Sequence, residues 1–193
     1  MSNITNENKI IAKTAASIFG GQPKVEEYWD ENENSSVDLL TCKGAPQKGR
    51  NSYSTIGLSD FPLMSDENDL GIGIELLGAC ESSCDEFSNI MTTASFYIIN
   101  SQWLCTPGTI FPNIVSMYGC SSTMQHLLFV PPSLWSEEFK TIEFETKTVA
   151  WLMVIPISEA EYSFADMEGS DKLEDLFVEK KIDIFNIERP SVV

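Results

Sequence analysis

Residues 87 to 136 read FSNIMTTASFYIINSQWLCTPGTIFPNIVSMYGCSSTMQHLLFVPPSLWS and contain no Asp, Glu, Lys or Arg. His126, the single histidine of the chain, is the one side chain in this run that can become positively charged. A long uncharged run is costly to expose, because burial of apolar surface is the main driving force of folding. We therefore predict that the run forms the core around which the rest of the chain folds. No window of about 18 residues is continuously apolar, which argues against a membrane span.

The two flanks of this run carry the charge. Residues 1 to 86 contain fifteen acids and six bases, residues 137 to 193 contain fourteen acids and six bases, and the net charge is −17. Such a surface repels nucleic acid and anionic membranes, and it favours basic partners. Acidity also keeps proteins soluble without any role in binding. Charge alone leaves both interpretations open.

Cysteine usage and length indicate the compartment and the domain count. The five cysteines are an odd number, and the N-terminus has no basic segment followed by an apolar one. These features predict a cytoplasmic protein with free thiols rather than a secreted protein with disulfides. A chain of 193 residues with 42% apolar residues predicts a single domain over residues 1–193.

Helical periodicity is clearest directly after Phe87. Apolar residues recur there at helical spacing to about Gln102: Phe87, Ile90, Met91, Ala94, Tyr97 and Ile98. Ser83 and Glu86 have the spacing of a capping box at its start, and Ser158 and Glu161 repeat that spacing later. Further helices are predicted over 8–19, from 159 to about 167, and from 170 onward, where Ser170 is the expected cap.

Strand patterns occupy much of the remaining chain. Short alternating or continuously apolar runs predict strands at 25–29, 37–42, 53–58, 72–77, 124–130, 139–145, 149–155 and 182–187. The run at 149–155 is typical of a strand buried on both faces, and Pro156 is expected to end it. The irregular order of elements predicts an α+β domain with a mixed, largely antiparallel central sheet of about six or more strands and about three to four helices.

No motif in the chain indicates catalysis. His126 lies in a strand-like run with no signature connecting it to a cysteine nucleophile. Gly71 and Gly73 precede a strand rather than a helix, so they do not form a phosphate cradle, and Walker, HExxH and GxSxG motifs are absent. The composition therefore predicts a binding protein that is not an enzyme and needs no cofactor.

Metal binding is not supported by residue spacing. Cys80 and Cys84 are four apart, and the other cysteines and His126 are unpaired, whereas zinc sites use about four ligands in close pairs. Loops starting at Asp30 and Asp66 lack the glutamate that ends a calcium-binding EF-hand loop. Solvated acidic loops and buried free thiols explain these residues better.

One segment resembles a known family signature. Residues 53–62, YSTIGLSDFP, resemble the Y-x-T-x-G-x-S-D-x-P signature of the suppressor-of-fused family. Three further stretches follow in the family's order, at 75–77, at 107–112 and in a closing segment from Ile155 to Ser191. The resemblance covers about residues 10–193. Asp60 is expected to hydrogen-bond the turn backbone, and Arg189 to hold the tail through a bidentate carboxylate pair.

The resemblance implies a function that composition alone does not give. Animal members of the family regulate Gli transcription factors, whereas bacterial single-domain members resemble immunity proteins of polymorphic toxin systems. This chain is most similar to those partnered with LXG-type nuclease toxins, which implies a cytoplasmic antitoxin that binds a basic nuclease domain and contacts neither nucleic acid nor membrane. From charge and loop position, the expected contacts are Asp30, Glu31, Glu33, Asp66, Glu67 and Asp69.

Two other function classes remain open from the sequence. One is a non-toxin interaction or regulatory module of the suppressor-of-fused type, which would bind a peptide along a sheet edge. The other is a small hydrolase or metal enzyme that uses a cysteine or His126. A partner recovered by pull-down separates the first from an antitoxin, and the effect of replacing His126 tests the second.

Overall fold

A mixed β-sheet forms the centre of the protein, as described by a computed structural model over residues 5–65 and 68–193. Its strands are β1 (Gln22–Trp29), β2 (Ser36–Lys43), β3 (Arg50–Ile56), β6 (Ile72–Glu81), β7 (Ile110–Phe111), β8 (Met124–Val130), β9 (Ile142–Glu143) and β10 (Thr148–Ser158). A separate hairpin contains β4 (Met64–Ser65) and β5 (Asn68–Asp69). The order across the sheet is β1-β2-β3-β6-β10-β8-β7, with β9 paired to β10. Only the pairing of β6 with β10 is parallel among these described strands.

Four α-helices in the described residues cover the two faces of this sheet. They are α1 (Asn6–Phe19), α2 (Phe87–Ser101), α3 (Glu159–Glu168) and α4 (Ser170–Lys180). Helix α2 packs into the apolar cluster on one face, and the other three helices contribute to the cluster on the opposite face. The sheet is therefore the middle layer of three. The predicted α+β class, the mixed sheet and the number of helices are confirmed.

The central strands are apolar on both sides because both faces of the sheet are covered. Neighbouring residues along one strand belong to opposite clusters: Leu76 and Leu77 in β6, Leu127 and Leu128 in β8, and Leu152 and Met153 in β10. Each of these pairs is at most 5% exposed. The uncharged run from 87 to 136 supplies α2 and β8, so its predicted place in the core is correct.

The start of α2 differs from the sequence prediction. The predicted capping box at Ser83 and Glu86 is wrong, because Glu86 is itself the cap residue, has helical backbone angles and makes no side-chain capping bond. Its carboxylate instead accepts a hydrogen bond from Asn89 Nδ2 at 2.7 Å. The second predicted capping box, between Ser158 and Glu161 at the start of α3, is confirmed.

Four other elements also differ from the sequence prediction. β10 continues through Pro156 to Ser158, because its pairing with β6 has already ended at Met153 and the missing proline N–H costs no ladder bond on that side. The predicted strand at 182–187 is a series of turns, and the run at 139–145 pairs only over β9. Ser170 is the first residue of α4 rather than its cap, which is Gly169. Within the described residues, no helix is both long and apolar enough to cross a membrane.

Candidate partner-binding surface

The turn between β1 and β2 holds three of the predicted contact residues, Asp30, Glu31 and Glu33. The Asp30 side chain organises this turn, because its Oδ1 accepts from the backbone N–H of Asn34 at 2.8 Å and its Oδ2 from Asn100 Nδ2 at 2.9 Å. Asn100 lies near the end of α2, so the turn is fixed to that helix. Desolvation raises the pKa of Asp30, but hydrogen bonds from Asn34, from the backbone after it and from Asn100 outweigh that effect, and the pKa lies below its usual value.

A groove of about 690 Å³ lies between this turn and α2. The exposed Trp29, the last residue of β1, and the exposed Met117 both line it. The remaining lining residues are acidic, polar or aromatic: Tyr28, Asp30, Glu31, Asn32, Asn89, Thr92, Thr93, Phe96, Tyr97, Asn100, Ser101 and Tyr118. No lysine or arginine is among the described residues that line it. We call this depression the α2 groove.

The second predicted acidic loop lies at a different groove. Asp69, in the β4–β5 hairpin, is exposed and accepts the backbone N–H of Gly71 at 2.8 Å. It lines a depression of about 440 Å³ together with Asp60 and Lys147. Asp66 and Glu67 lie outside the described residues. The two predicted acidic loops therefore do not share one groove, and the α2 groove combines its acids with the exposed ring of Trp29.

The signature segment surrounds a buried carboxylate, Glu75 of β6, which has no exposed surface. Glu75 Oε2 accepts from Thr55 Oγ1 at 2.6 Å, and Oε1 accepts from the backbone N–H of Gly57 at 3.0 Å and of Ser59 at 3.1 Å. The Ser59 hydroxyl adds a bond of 2.7 Å to Oε1. Burial raises the pKa of Glu75, against the opposing effect of these donors and of Lys147.

Lys147 joins the signature turn to β10. Its Nζ donates to Ser59 Oγ at 2.9 Å and forms an ion pair with Asp60 Oδ1. Asp60 Oδ2 accepts from Asn8 Nδ2 at 3.0 Å, so Asp60 binds side chains of two other elements. The prediction that Asp60 hydrogen-bonds its own turn is therefore wrong. Gly73 passes so close to this turn that a Cβ there would lie 2.4 Å from the Ser59 carbonyl oxygen.

A second buried carboxylate, Glu161 of α3, holds the C-terminal tail. Arg189 Nη1 donates to Glu161 Oε1 at 2.6 Å, and Nη2 donates to Oε2 at 2.9 Å. Arg189 Nη2 also donates to the carbonyl of Pro156 at 3.0 Å, and the backbone N–H of Val192 donates to Glu161 Oε1 at 3.0 Å. The two charged side chains are 4% and 0% exposed. The predicted bidentate role of Arg189 is confirmed.

His126 is held within the sheet by two partners. Its Nδ1 accepts the backbone N–H of Asn113 at 2.9 Å, so the proton of the neutral ring lies on Nε2, which is 3.0 Å from Glu159 Oε2. The ring is 1% exposed and packs against Tyr162 with centroids 4.8 Å apart. Both nitrogens are therefore engaged in contacts that position α3 and the segment before β8.

The five cysteines are free, and four of them are buried. Cys84, just before α2, interacts with the thiols of Cys80 and Cys120. A hydrogen bond from Cys80 lowers the pKa of Cys84 to about 7 against the effect of burial, and further hydrogen bonds come from Cys120 and from backbone at the start of α2. Burial raises the pKa of Cys42 to about 11. No group of three or more His, Cys, Asp or Glu in the described chain is placed to hold a metal ion.

Comparison with known proteins now places the chain in a family. The family model for the suppressor of fused protein matches residues 33–190, which include both buried carboxylates. The chain belongs to the suppressor of fused family. The "Immunity protein YqcF" of Bacillus subtilis is 50% identical over 190 residues, which are 98% of this chain and 99% of that protein.

Solved structures of the suppressor of fused family share the fold. A homologue from Neisseria gonorrhoeae FA 1090 has a TM-score of 0.67 at 16% identity and covers 96% of both chains. A chain of the Sufu–Fu complex has a TM-score of 0.66 at 14% identity, with 95% of this chain and 91% of that chain covered. Drosophila Suppressor of Fused has a TM-score of 0.65, and the likeness covers 94% of this chain and 50% of that one.

Sequence reasoning missed Glu75 as the centre of the family signature. The signal was present, because Glu75 is the one charged residue in the apolar run from Ile72 to Cys80. A carboxylate in such a run must find hydrogen-bond donors when it is buried. The hydroxyl and glycine positions of the signature, Thr55, Gly57 and Ser59, supply those donors.

Proposed function

We propose that this protein is an immunity protein that binds and neutralises the C-terminal nuclease domain of a cognate LXG-type toxin in the producing cell. The observation that carries the proposal is the 50% identity, over 98% of the chain, to a protein named an immunity protein. The family membership supports a role in protein binding, since one related structure is a complex of Sufu with Fu. The proposed site of action is the cytoplasm, and the proposed unit is a single domain.

Charge supports a nuclease as the partner. A nuclease needs a basic cleft to bind phosphates, and a protein of net charge −17 is attracted to such a cleft at long range. Electrostatic attraction raises the association rate to as much as about 10⁸–10⁹ M⁻¹s⁻¹ at low salt. Fast capture suits an inhibitor that must act before the toxin reaches nucleic acid. In this proposal the inhibitor blocks the cleft by binding and performs no chemistry on the toxin.

Co-expression in a bacterial host tests the proposal. The C-terminal nuclease domain of the proposed LXG-type toxin is induced with and without this protein, and viable cells are counted. We expect survival only when this protein is present, and a complex of the two purified proteins whose association rate falls steeply with salt. Equal killing in both cultures, with this protein well expressed, would refute the proposal.

The outer edge of the sheet favours a second candidate, a non-toxin interaction or regulatory module of the suppressor-of-fused type. β1 is eight residues long and exposed along most of its length, and within the described residues it pairs with a strand on one side only. An open edge of this kind accepts an extended peptide as an additional strand. A pull-down that recovers a non-nuclease partner, together with unchanged killing in the co-expression experiment, would favour this candidate.

A further inference from the structure

The α2 groove differs in its charge from two other grooves on the described surface. These two other grooves contain lysines, Lys147 in one and Lys13 with Lys140 in the other. The α2 groove contains acids and no cation among its described lining residues. A cationic group that enters it therefore meets attraction without local repulsion.

The acids of the groove have different roles. Both carboxylate oxygens of Asp30 are already held, by Asn34 and Asn100, so Asp30 fixes the shape of the turn. Glu31 is exposed, and in the described part of the chain its carboxylate has no hydrogen bond or ion pair. Among the described residues, Glu31 is thus an unpaired anion at the rim of the groove, on a turn that Asp30 holds in place. Since Asp30 holds the turn in place, binding there orders little additional backbone.

Aromatic side chains line the same groove as this anion. Trp29 is 48% exposed, Met117 is 55% exposed, and the rings of Phe96 and Tyr97 are partly buried in the wall. A guanidinium group stacks on such rings and pairs with a carboxylate at the same time, whereas the compact, strongly hydrated ammonium of lysine is less suited to stacking. Exposed tryptophan and tyrosine at the centre of an interface commonly supply most of its binding energy.

We propose that the α2 groove binds an arginine-bearing segment of the partner nuclease domain, with the guanidinium paired to Glu31 and packed against Trp29. This inference rests on the proposed function, because the basic partner is the nuclease domain. It selects one of the two predicted acidic loops as the centre of the interface. The hairpin that contains Asp69 lies at another groove and is expected to contribute only long-range attraction.

Charge reversal at two matched positions tests the inference. Glu31→Lys and Asp175→Lys change the net charge equally, but Asp175 is exposed on α4, across the sheet from the α2 groove. The probe is the purified C-terminal nuclease domain of the proposed LXG-type toxin, inactivated by mutation, and the readout is association and dissociation by surface plasmon resonance. We expect Glu31→Lys to weaken binding by about 30-fold or more, mainly through faster dissociation, and Asp175→Lys by less than about 3-fold.

Variants that remove the aromatic contact complete the test. Trp29→Ala is expected to weaken binding by about 30-fold, while Val178→Ala, which shortens another exposed apolar side chain, leaves binding unchanged. Glu31→Gln removes the charge at an exposed side chain and provides a result even if Trp29→Ala is poorly folded in a thermal melt. A double-mutant cycle combines Glu31→Gln with alanine variants of single arginines on the probe. A non-additive effect on the binding free energy for one arginine would identify the bound group.

The outcomes separate the inference from the proposed function. Wild-type protein that neither binds the probe nor protects cells refutes the proposed function. Wild-type protein that binds and protects, with Glu31→Lys and Trp29→Ala equal to their controls, overturns the α2 groove as the interface and leaves the proposed function in place. Coupling only to lysines of the probe would refute the arginine assignment.

Discussion

Replacement of Arg189 by methionine tests the buried ion pair that holds the tail. Arg189 makes two bonds to Glu161, of 2.6 and 2.9 Å, and another of 3.0 Å to the Pro156 carbonyl. Methionine fills much of the same volume but leaves the Glu161 carboxylate without its cation in a fully buried position. Removal of one partner of a buried pair costs about 3–5 kcal/mol of unfolding free energy. At about 2–4 °C per kcal/mol for a chain of this size, the melting temperature should fall by about 6–20 °C.

The second arginine of the chain provides a matched control. Arg50 pairs with Asp183 at 2.9 Å, but the two side chains are 20% and 45% exposed, so Arg50→Met should cost about 1 kcal/mol or less. Both variants are measured by urea unfolding with tryptophan fluorescence. The double variant Glu161→Leu with Arg189→Met should recover part of the lost stability, because it leaves no unpaired buried charge. A loss for Arg189→Met no larger than for Arg50→Met would refute the reasoning.

Three further predictions concern the signature and the thiols. Burial raises the pKa of Glu75 above 4.5, so the folded protein binds that proton more tightly than the unfolded chain does. In urea unfolding, the free energy of unfolding relative to that of Glu75→Gln should be highest below pH 4.5 and should fall as the pH rises through the raised pKa. The opposite slope would contradict this prediction. Gly73→Ala should cost about 1–3 kcal/mol in the same assay, because its Cβ would contact the backbone of Ser59, and an unchanged midpoint would disprove the close approach. A hydrogen bond from Cys80 lowers the pKa of the Cys84 thiol, whereas burial raises the pKa of Cys42, so iodoacetamide should label Cys84 at a lower pH than Cys42, as mass spectrometry would show. Labelling of Cys42 at the lower pH would contradict this order.

Local periodicity was sufficient to predict the main elements of the fold. α2 extends over Phe87–Ser101 and β8 over Met124–Val130, close to the predicted limits, because both have an unbroken pattern of apolar residues and clear boundaries. The predicted elements are wrong where tertiary contacts, rather than local sequence patterns, determine the structure. Pro156 lies within a strand because the neighbouring strand has already ended, and the run at 182–187 forms turns that bond to Glu81 through the Phe185 carbonyl instead of forming a strand.

Less of the candidate site than of the fold could be predicted from the sequence. Charge and loop position indicated Asp30, Glu31 and Glu33, but no local pattern placed them beside α2. That proximity depends on the contact between Asp30 and Asn100, which are 70 residues apart in the chain. Trp29 was not predicted as a contact residue, because a tryptophan at the end of a strand is typical of a core as well as of an interface.

The buried acids of this protein stabilise its fold, whereas the exposed acids set its surface charge. Thr55 and Ser59 of the signature bind Glu75 inside the fold, and Arg189 of the closing segment binds Glu161 there. These side chains have almost no exposed surface, so they cannot contact a partner without local unfolding. These buried residues of the signature and of the closing segment therefore stabilise the fold. In the proposed interface, partner choice depends on exposed positions such as Glu31, where a substitution changes surface charge and leaves both buried carboxylates undisturbed.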